Sequence, residues 1–493
     1  MKTLILYSRS STFRPRSVIS SLATDQKRKG HDVSVADISS FSYVNQDLPP
    51  KWFARLFGAD VYPNELERIL ESAQIPFISL SPPQNRAELP AEITSEFEES
   101  VFSELVTYLR SDQPTDTWFT RYTKKKIQET AKPIYGALTM FLETERFDKV
   151  IVPNGRVGHL RLALLACKKV GVEIEYFEIG RALENSYYLG KQQIHDREGT
   201  QAEVASVTAH LSQGEVQKIA TAWLETRMTT GLAIHPYNKE WSGGLGLVKD
   251  RPQAPLAVFF SSSVDEFTSY GGSWQTHEWT DQYEAFSAII DLLSKRGVRC
   301  VLRVHPNLQN KSRHFVRREL IRVQELMKAH PHLEVLSHTD PTSSYELLQG
   351  ADYVVVGRST LGLEGSCLSK CVWTTTAARY DAIADIRQAL RPADVTDKNF
   401  HKWTVDPQGA QRFVSYWVEQ DTVFSFGEEN WATWDALKAP TPMKIGNLFV
   451  KNTVWHKIHL VRLEIVKAIN RRRGRRFAHN GSNTQSHWLV PRG

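Results

Sequence analysis

What this chain of 493 residues lacks narrows its class before any motif is read. No apolar run reaches the roughly 18 residues of a membrane-spanning helix. The opening Met1-Lys-Thr-Leu-Ile-Leu-Tyr passes at once into a strand pattern without a long signal-peptide core, so a cytoplasmic location is expected. Cysteine is scarce: Cys167, Cys300, Cys367 and Cys371 fall in predicted buried elements, and none forms a Cys-x-x-Cys pair. That spacing argues against zinc or a disulfide framework and for free thiols in a reducing compartment. No constellation of metal ligands appears, and no obligatory metal or other cofactor is expected. The loop Ser8-Arg-Ser-Ser-Thr12 lacks the glycine spacing of a dinucleotide fingerprint, which removes NAD and FAD. Net positive charge is scarce in the body as well. The formal net charge of +6 includes Arg471, Arg472, Arg473, Arg475 and Arg476, so the basic character belongs to the tail and nucleic acid is not an expected partner.

What is present is a soluble α/β composition, with 41% hydrophobic and 24% charged residues. A length of 493 residues exceeds one ordinary core, so two domains with appendages are expected. Strand patterns at Thr3 to Ser8 and Asp32 to Ile38 flank a helix opened by Pro15 and stopped by Gly30. Helices are expected near Asn64 to Ser72, from Ala91 to Arg110 and from Asp116 to Glu143, with a strand at Pro76 to Ser81. Phe41, Tyr43, Trp52, Phe53, Phe57 and Tyr62 read either as an exposed aromatic surface for sugar or lipid or as a packed loop. Residues 182–250 read as a polar, helical linker, ending in glycine and proline punctuation at Ser242-Gly243-Gly244 and Arg251-Pro252.

From Leu256 the chain repeats a strand–helix alternation through Thr375, which demands a parallel sheet with right-handed crossovers. The resulting partition is 1–181, a Rossmann-like domain; 182–250, the linker; 251–410, a second Rossmann-like domain; 411–480, C-terminal helices and basic tail. Residues past Arg379 are expected to be mostly helical, anchored by Trp403, Trp417, Trp431 and Trp434. Residues 481–493 end in Leu-Val-Pro-Arg-Gly, similar to a protease-site remnant of expression, and are set aside.

Two polar signatures follow buried strands of the second sheet. Arg303-Val-His305-Pro306-Asn307 follows Val298 to Leu302, and Ser359-Thr360-Leu-Gly362-Leu-Glu364 follows Tyr353 to Val356. Open α/β sheets bind ligands beyond the carboxyl ends of their strands. Ser359 or Thr360 caps the next helix, whose free N–H groups suit a phosphate, and Gly357 and Gly362 permit close approach. An ordinary capped helix is the bland alternative. The loop Ser261-Ser262-Ser263-Val-Asp265-Glu266 closes the first strand of the same sheet. In the first domain, Asn154-Gly155-Arg156 and Glu178-Ile-Gly180-Arg181 end two further strands. Arg156 and Arg181 suit phosphate or a sugar carboxylate and Glu178 suits a general base, or these groups pair with one another.

Together these loops resemble those of bacterial capsule and surface-polysaccharide glycosyltransferases of the GT-B fold, two Rossmann-like domains with parallel sheets facing a cleft. The His-Pro and Ser-Thr pairs are similar to signatures of Kdo transferases and bacterial sialyltransferases. The resemblance implies transfer of a sugar from a CMP- or UDP-activated donor to a glycan or lipid-linked glycan acceptor. It implies that His305 contacts the donor phosphate, supported by Arg303, that Ser359 and Thr360 hold the phosphate end, and that Glu364 meets the ribose or base edge. Ser262, Ser263, Asn307 and Gly362 belong with the donor loops, and Asn154, Arg156 and Arg181 with the acceptor or a phosphate. Glu178 is the first candidate base and Asp265 or Glu266 the second. Rival readings are a CDP-polyol phosphotransferase of teichoic-acid type and a non-catalytic glycan-binding or assembly protein. The amphipathic segment 448–469 and the arginines after it suit either an anionic membrane surface at the inner face or packing against the body.

Overall fold

The computed structural model describes residues 1–8, 15–43, 62–82, 89–109, 112–114, 116–183, 186–193, 196–229, 254–263, 268, 274, 277–311 and 313–424. They form two α/β units. Among the described residues, one gathers Met1–Leu109, Gln113–Asp196 and 420–424; the other centres on Arg197–Glu419.

In the first unit, β1 (Lys2–Tyr7), α1 (Pro15–Arg28), β2 (Asp32–Asp37), α2 (Tyr62–Ser72) and β3 (Phe77–Ser79) open the fold. Then come α3 (Ala91–Leu109), α4 (Trp118–Ala131), α5 (Pro133–Glu145), β4 (Lys149–Pro153), α6 (Gly158–Val170), β5 (Glu173–Ile179) and β6 (Ser186–Gly190). The second unit has α7 (Arg197–Val207), α8 (Gln213–Thr229), β7 (Leu256–Phe260), α9 (Gln282–Ser294), β8 (Arg299–Arg303), α10 (Arg313–Ala329) and β9 (Glu334–Leu336). It continues with α11 (Ser344–Gly350), β10 (Tyr353–Val356), α12 (Thr360–Cys367), β11 (Cys371–Thr374), β12 (Arg387–Gln388) and α13 (Gln408–Gln420). The strand β13 (Asp421–Val423) returns to the first sheet.

Both sheets wind alike. The orders are β13-β6-β5-β4-β1-β2-β3 and β12-β11-β10-β7-β8-β9, so each unit's first strand lies between strands laid down in opposite directions from it. All pairings are parallel except β5 with β6 and β6 with β13. The expected pair of Rossmann-like sheets is therefore present, and each has a switch point, between β1 and β4 and between β7 and β10.

Alternate residues of each strand feed opposite faces. Leu4 and Leu6 join one core, and Ile5 and Tyr7 another; Ala257 and Phe259 separate from Val258 and Phe260 in the same way. Each fully buried Leu, Val, Ile or Phe contributes about 1.5–3 kcal/mol. Phe41 and Tyr43 belong to the first of these cores, the packed one of the two alternatives; 44–61 lie outside the described residues.

Three local expectations are revised. The helix expected over Asp116 to Glu143 is two helices, because Pro133 has no N–H for the ladder and its ring crowds the preceding turn. Ser186 to Gly190, expected to be helical, is a buried strand paired with β5. Residues 379–407 are largely irregular: Phe400 stacks on Trp373 at 4.6 Å and Trp403 meets it edge-on at 5.0 Å, so the aromatics anchor this segment without an α-helix. The four cysteines are buried and free, and no described helix is long and apolar enough to cross a membrane.

Asp421 holds β13 in place. Its Oδ2 accepts the N–H groups of Arg181 (2.7 Å), Ala182 (2.7 Å) and Leu183 (3.0 Å), and the Ser186 hydroxyl at 3.2 Å. Hydrogen bonds to a charged group contribute roughly 1.5–3 kcal/mol each. Asp421→Ala is expected to lower stability by at least about 2 kcal/mol in denaturant unfolding, whereas Val423→Ala, at an exposed side chain, stays within about 0.5 kcal/mol. Equal stabilities of the two variants would contradict this assignment.

Candidate functional site

The second sheet assembles its site at the β7/β10 switch point. Ser261, Ser262 and Ser263 are buried just past β7. The Gln282 side-chain amide, at the start of α9, fixes this turn: Ser262 N–H donates to its Oε1 at 2.8 Å and its Nε2 donates to Ser262 O at 3.2 Å. The Ser262 hydroxyl remains buried and without a hydrogen-bond partner. It lies 2.8 Å from where a Cβ on Gly357 would stand, so only glycine at 357 leaves the space between the two strand ends open.

Ser359 caps α12, its Oγ accepting from Leu361 N–H at 3.3 Å, and Thr360 is exposed at the first helical position. Beside this cap, Arg358 donates from Nε to Thr376 Oγ1 at 3.1 Å and from Nη2 to the Trp274 carbonyl at 3.1 Å. The guanidinium groups of Arg358 and Arg379 each lie 5.7 Å from the centre of the Trp274 ring. Burial and the nearby Arg358 charge lower the pKa of His277.

His305, at the end of β8, is held twice. Its N–H donates to Ser261 Oγ at 2.8 Å, and its Nδ1 accepts from Asn307 N–H at 3.1 Å. An Nδ1 that accepts carries a lone pair, so the neutral ring has its proton on Nε2. Half-buried His305 thus has a defined donor nitrogen.

Three neighbouring residues are engaged by internal partners. Arg303 is fully buried and donates to the carbonyls of Ser337 and of Asp340 (3.0 Å), which ties it to the loop after β9. Burial lowers its pKa to about 9, and burial with the Arg303 charge holds His338 at about 4. Gly362 makes room for an internal neighbour: a Cβ there would strike the Tyr380 hydroxyl, which donates to Ser359 O at 2.6 Å. Glu364 has no exposed surface and accepts from Arg227 Nε at 2.8 Å, an ion pair that ties α12 to α8. Asn307 is also buried, and Asp265 and Glu266 lie outside the described residues.

The first sheet gathers a second set at its switch point. Asn154 and Gly155 take left-handed φ values of 53° and 71°, which turns the chain sharply after β4. Asn154 Nδ2 donates to Glu178 Oε2 at 2.6 Å and Ile179 N–H donates to Oε1 at 3.2 Å. Glu178 was expected in a loop but belongs to β5, opposite Tyr188. Burial raises its pKa, while the two donors and the charges of Arg181 and Arg156 pull the other way. Glu178 thus has a side-chain partner in Asn154, a residue read from the sequence as an acceptor or phosphate contact. Arg156 turns to α3, donating to Ser103 Oγ (3.3 Å) and Thr107 Oγ1 (3.4 Å), and the backbone of Arg181 is engaged by Asp421.

Sequence reasoning missed several residues here. Ser8 Oγ and His159 Nε2 are 2.8 Å apart, and burial alone lowers the His159 pKa to about 3. Glu104, buried against Gly158 at the start of α6, is raised to about 7 by burial. Arg358, Arg379 and Trp274 were also passed over. A cation between Gly357 and the Ser359 cap is the one signal among these that a reading of the sequence offers. No group of described residues has the make-up of a metal site.

No family model and no curated protein matches the chain. Solved structures similar to it include KpsC of Thermosulfurimonas dismutans, described as a beta Kdo 2,4 transferase, at 15% identity, with 55% of this chain and 80% of that chain covered and a TM-score of 0.37. A beta Kdo 2,7 transferase from the same organism has 14% identity, 57% and 80% coverage and a TM-score of 0.35. The UDP-GlcNAc 2-epimerase of Neisseria meningitidis, solved with UDP-GlcNAc bound, has 12% identity, 85% and 99% coverage and a TM-score of 0.32.

The Glu364 assignment can be tested directly. Leaving the buried Arg227 guanidinium unpaired costs about 3–5 kcal/mol, so Glu364→Ala is expected to unfold at clearly lower denaturant. A variant of unchanged stability that loses only nucleotide affinity would return Glu364 to the ligand.

Proposed function

We propose that this chain is a glycosyltransferase that moves a sugar from a CMP- or UDP-activated donor to a growing surface or capsular polysaccharide or glycolipid. The observation that carries the reading is the buried, unpartnered Ser262 hydroxyl beside the Ser359-capped start of α12. A hydroxyl with no internal partner at a switch point suits a ligand oxygen, and the first-turn N–H groups and helix dipole suit a negative one. The Nε2–H of His305 adds a fixed donor of the kind that a departing nucleotide phosphate needs.

Displacement at the anomeric carbon puts negative charge on that phosphate as the bond to the sugar breaks. The acceptor hydroxyl must lose its proton, and Glu178 takes it in this reading: its raised pKa makes the carboxylate a stronger base than an exposed one. Asn154 keeps one carboxylate oxygen oriented. The reading assigns no step to a metal, and transfer is expected to persist in EDTA.

His305→Ala and Glu178→Gln are each expected to reduce transfer at least about 100-fold with the fold retained by circular dichroism. Wild-type activity should fall on acidification through a pH above the ordinary carboxylate range, because the protonated Glu178 cannot act as base. Near-normal turnover in either variant removes that residue from the mechanism. A phosphodiester product with release of CMP would replace this reading with polyol-phosphate transfer.

A further inference from the structure

We propose that Glu319, a buried carboxylate on α10, is a positioning residue of the donor site: acting through Tyr283 and Gln282, it sets the serine turn after β7 in the shape that receives a nucleotide. The inference rests on the reading above, that a nucleotide phosphate is held at the β7/β10 switch point.

Two short chains of hydrogen bonds start at this carboxylate. Glu319 Oε2 accepts from the Tyr283 hydroxyl at 3.0 Å and, at the longer distance of 3.5 Å, from Gln282 Nε2. Gln282 engages both backbone groups of Ser262, taking its N–H on Oε1 at 2.8 Å and giving Nε2–H to its carbonyl at 3.2 Å. Tyr283 is hydrogen-bonded to the Ser261 hydroxyl, and Ser261 Oγ accepts the His305 N–H at 2.8 Å. Glu319, Gln282, Tyr283, Ser261 and Ser262 are all buried. Two adjacent residues at the start of α9 thus connect one carboxylate to Ser261, Ser262 and His305.

The direction of these bonds depends on the group being a carboxylate. An ionised carboxyl only accepts, so Tyr283 gives it the single phenol proton, and the phenol oxygen is left to accept from Ser261. The Ser261 oxygen then has its lone pairs for the His305 N–H. In the same way Glu319 and the Ser262 carbonyl, two acceptors, take the two N–H bonds of the Gln282 amide, which leaves Oε1 facing the Ser262 N–H. A flipped amide would set its oxygen against both acceptors. Burying a carboxylate is costly, and an apolar side chain would fill the same space without that cost, so its presence points to the polar turn that it organises. Burial raises the Glu319 pKa to about 7; the Tyr283 hydrogen bond and the Arg318 charge pull it down, and Asp112 and Asp281 push it up. The carboxylate form therefore predominates at pH 8.

The test is made at pH 8 on the full chain, by amide hydrogen exchange of the ligand-free protein and by calorimetric titration with CMP and with UDP. Glu319→Ala and Tyr283→Phe are each expected to speed exchange at 261–263 and 305 at least about fivefold, with β7 and β8 as slow as in the wild type. Each is also expected to weaken the tighter-binding nucleotide at least about tenfold, because a loosened turn must be ordered on binding. Glu319→Gln, whose side-chain carbonyl still accepts from Tyr283, should stay within about threefold of the wild type in both measurements. The double variant of Glu319→Ala and Tyr283→Phe should lose less than the sum of the single effects, since the two residues act in one chain. If Glu319→Ala speeds exchange in β7 and β8 as well, Tyr283→Phe, which removes one oxygen atom, decides. Wild-type exchange at the turn in Tyr283→Phe, or a Glu319→Gln as impaired as Glu319→Ala, would overturn the positioning role and leave the nucleotide reading standing. A wild type that binds neither CMP nor UDP would overturn the nucleotide reading, and the exchange measurement would still decide whether Glu319 holds the turn.

Discussion

Burying both faces of a parallel sheet is the constraint on which the structure depends. A strand such as Val354-Val355-Val356 has no polar face to offer water, so helices must cover both sides and the chain must cross over between strands. When the crossovers reverse direction, as they do on either side of β1 and of β7, the loops leaving two adjacent strands part to opposite faces. The space between them is a product of topology. What the side chains decide is whether that space is filled or left open.

In the second unit it is left open by specific means. Gly357 withholds a side chain that would meet Ser262, and Gln282 occupies the backbone groups of Ser262 while leaving its hydroxyl unused. A buried hydroxyl without a partner is costly in a protein that binds nothing there, and acceptable in one that binds an oxygen-rich ligand. In the first unit several polar groups hold one another, while Asn154 Oδ1 and His159 Nδ1 are buried without a partner. Glu178 is held by Asn154, the Arg181–Leu183 amides by Asp421, and Ser8 by His159. That set is organised around the Glu178 carboxylate, whose proton affinity burial raises.

Much of this was legible in the sequence where the signal is local. Apolar runs bounded by glycine and proline located the parallel strands, and of Ser359 and Thr360 the structure makes Ser359 the cap. The break at Pro133 is equally local, a proline at the first position of the second helix. Ser186-Tyr-Tyr-Leu-Gly190 was too short and too polar at its start to stand out as a strand, and only pairing with β5 makes it one. The partners of site residues were the least legible. Glu364 and Arg227 are 137 positions apart, and Trp274 and Arg358 are 84 apart. No spacing rule connects such pairs, so a glutamate read as a nucleotide contact proved to be half of an internal ion pair.

The central claim is that an anionic nucleotide occupies the β7/β10 switch point. Hydrogen–deuterium exchange of the chain with and without saturating UDP or CMP tests it most directly, because the backbone amides that would hold the phosphate report on themselves. The account predicts slowed exchange concentrated in 261–263, 305–307 and 357–362. Protection confined to other segments, or none with either nucleotide, would contradict it.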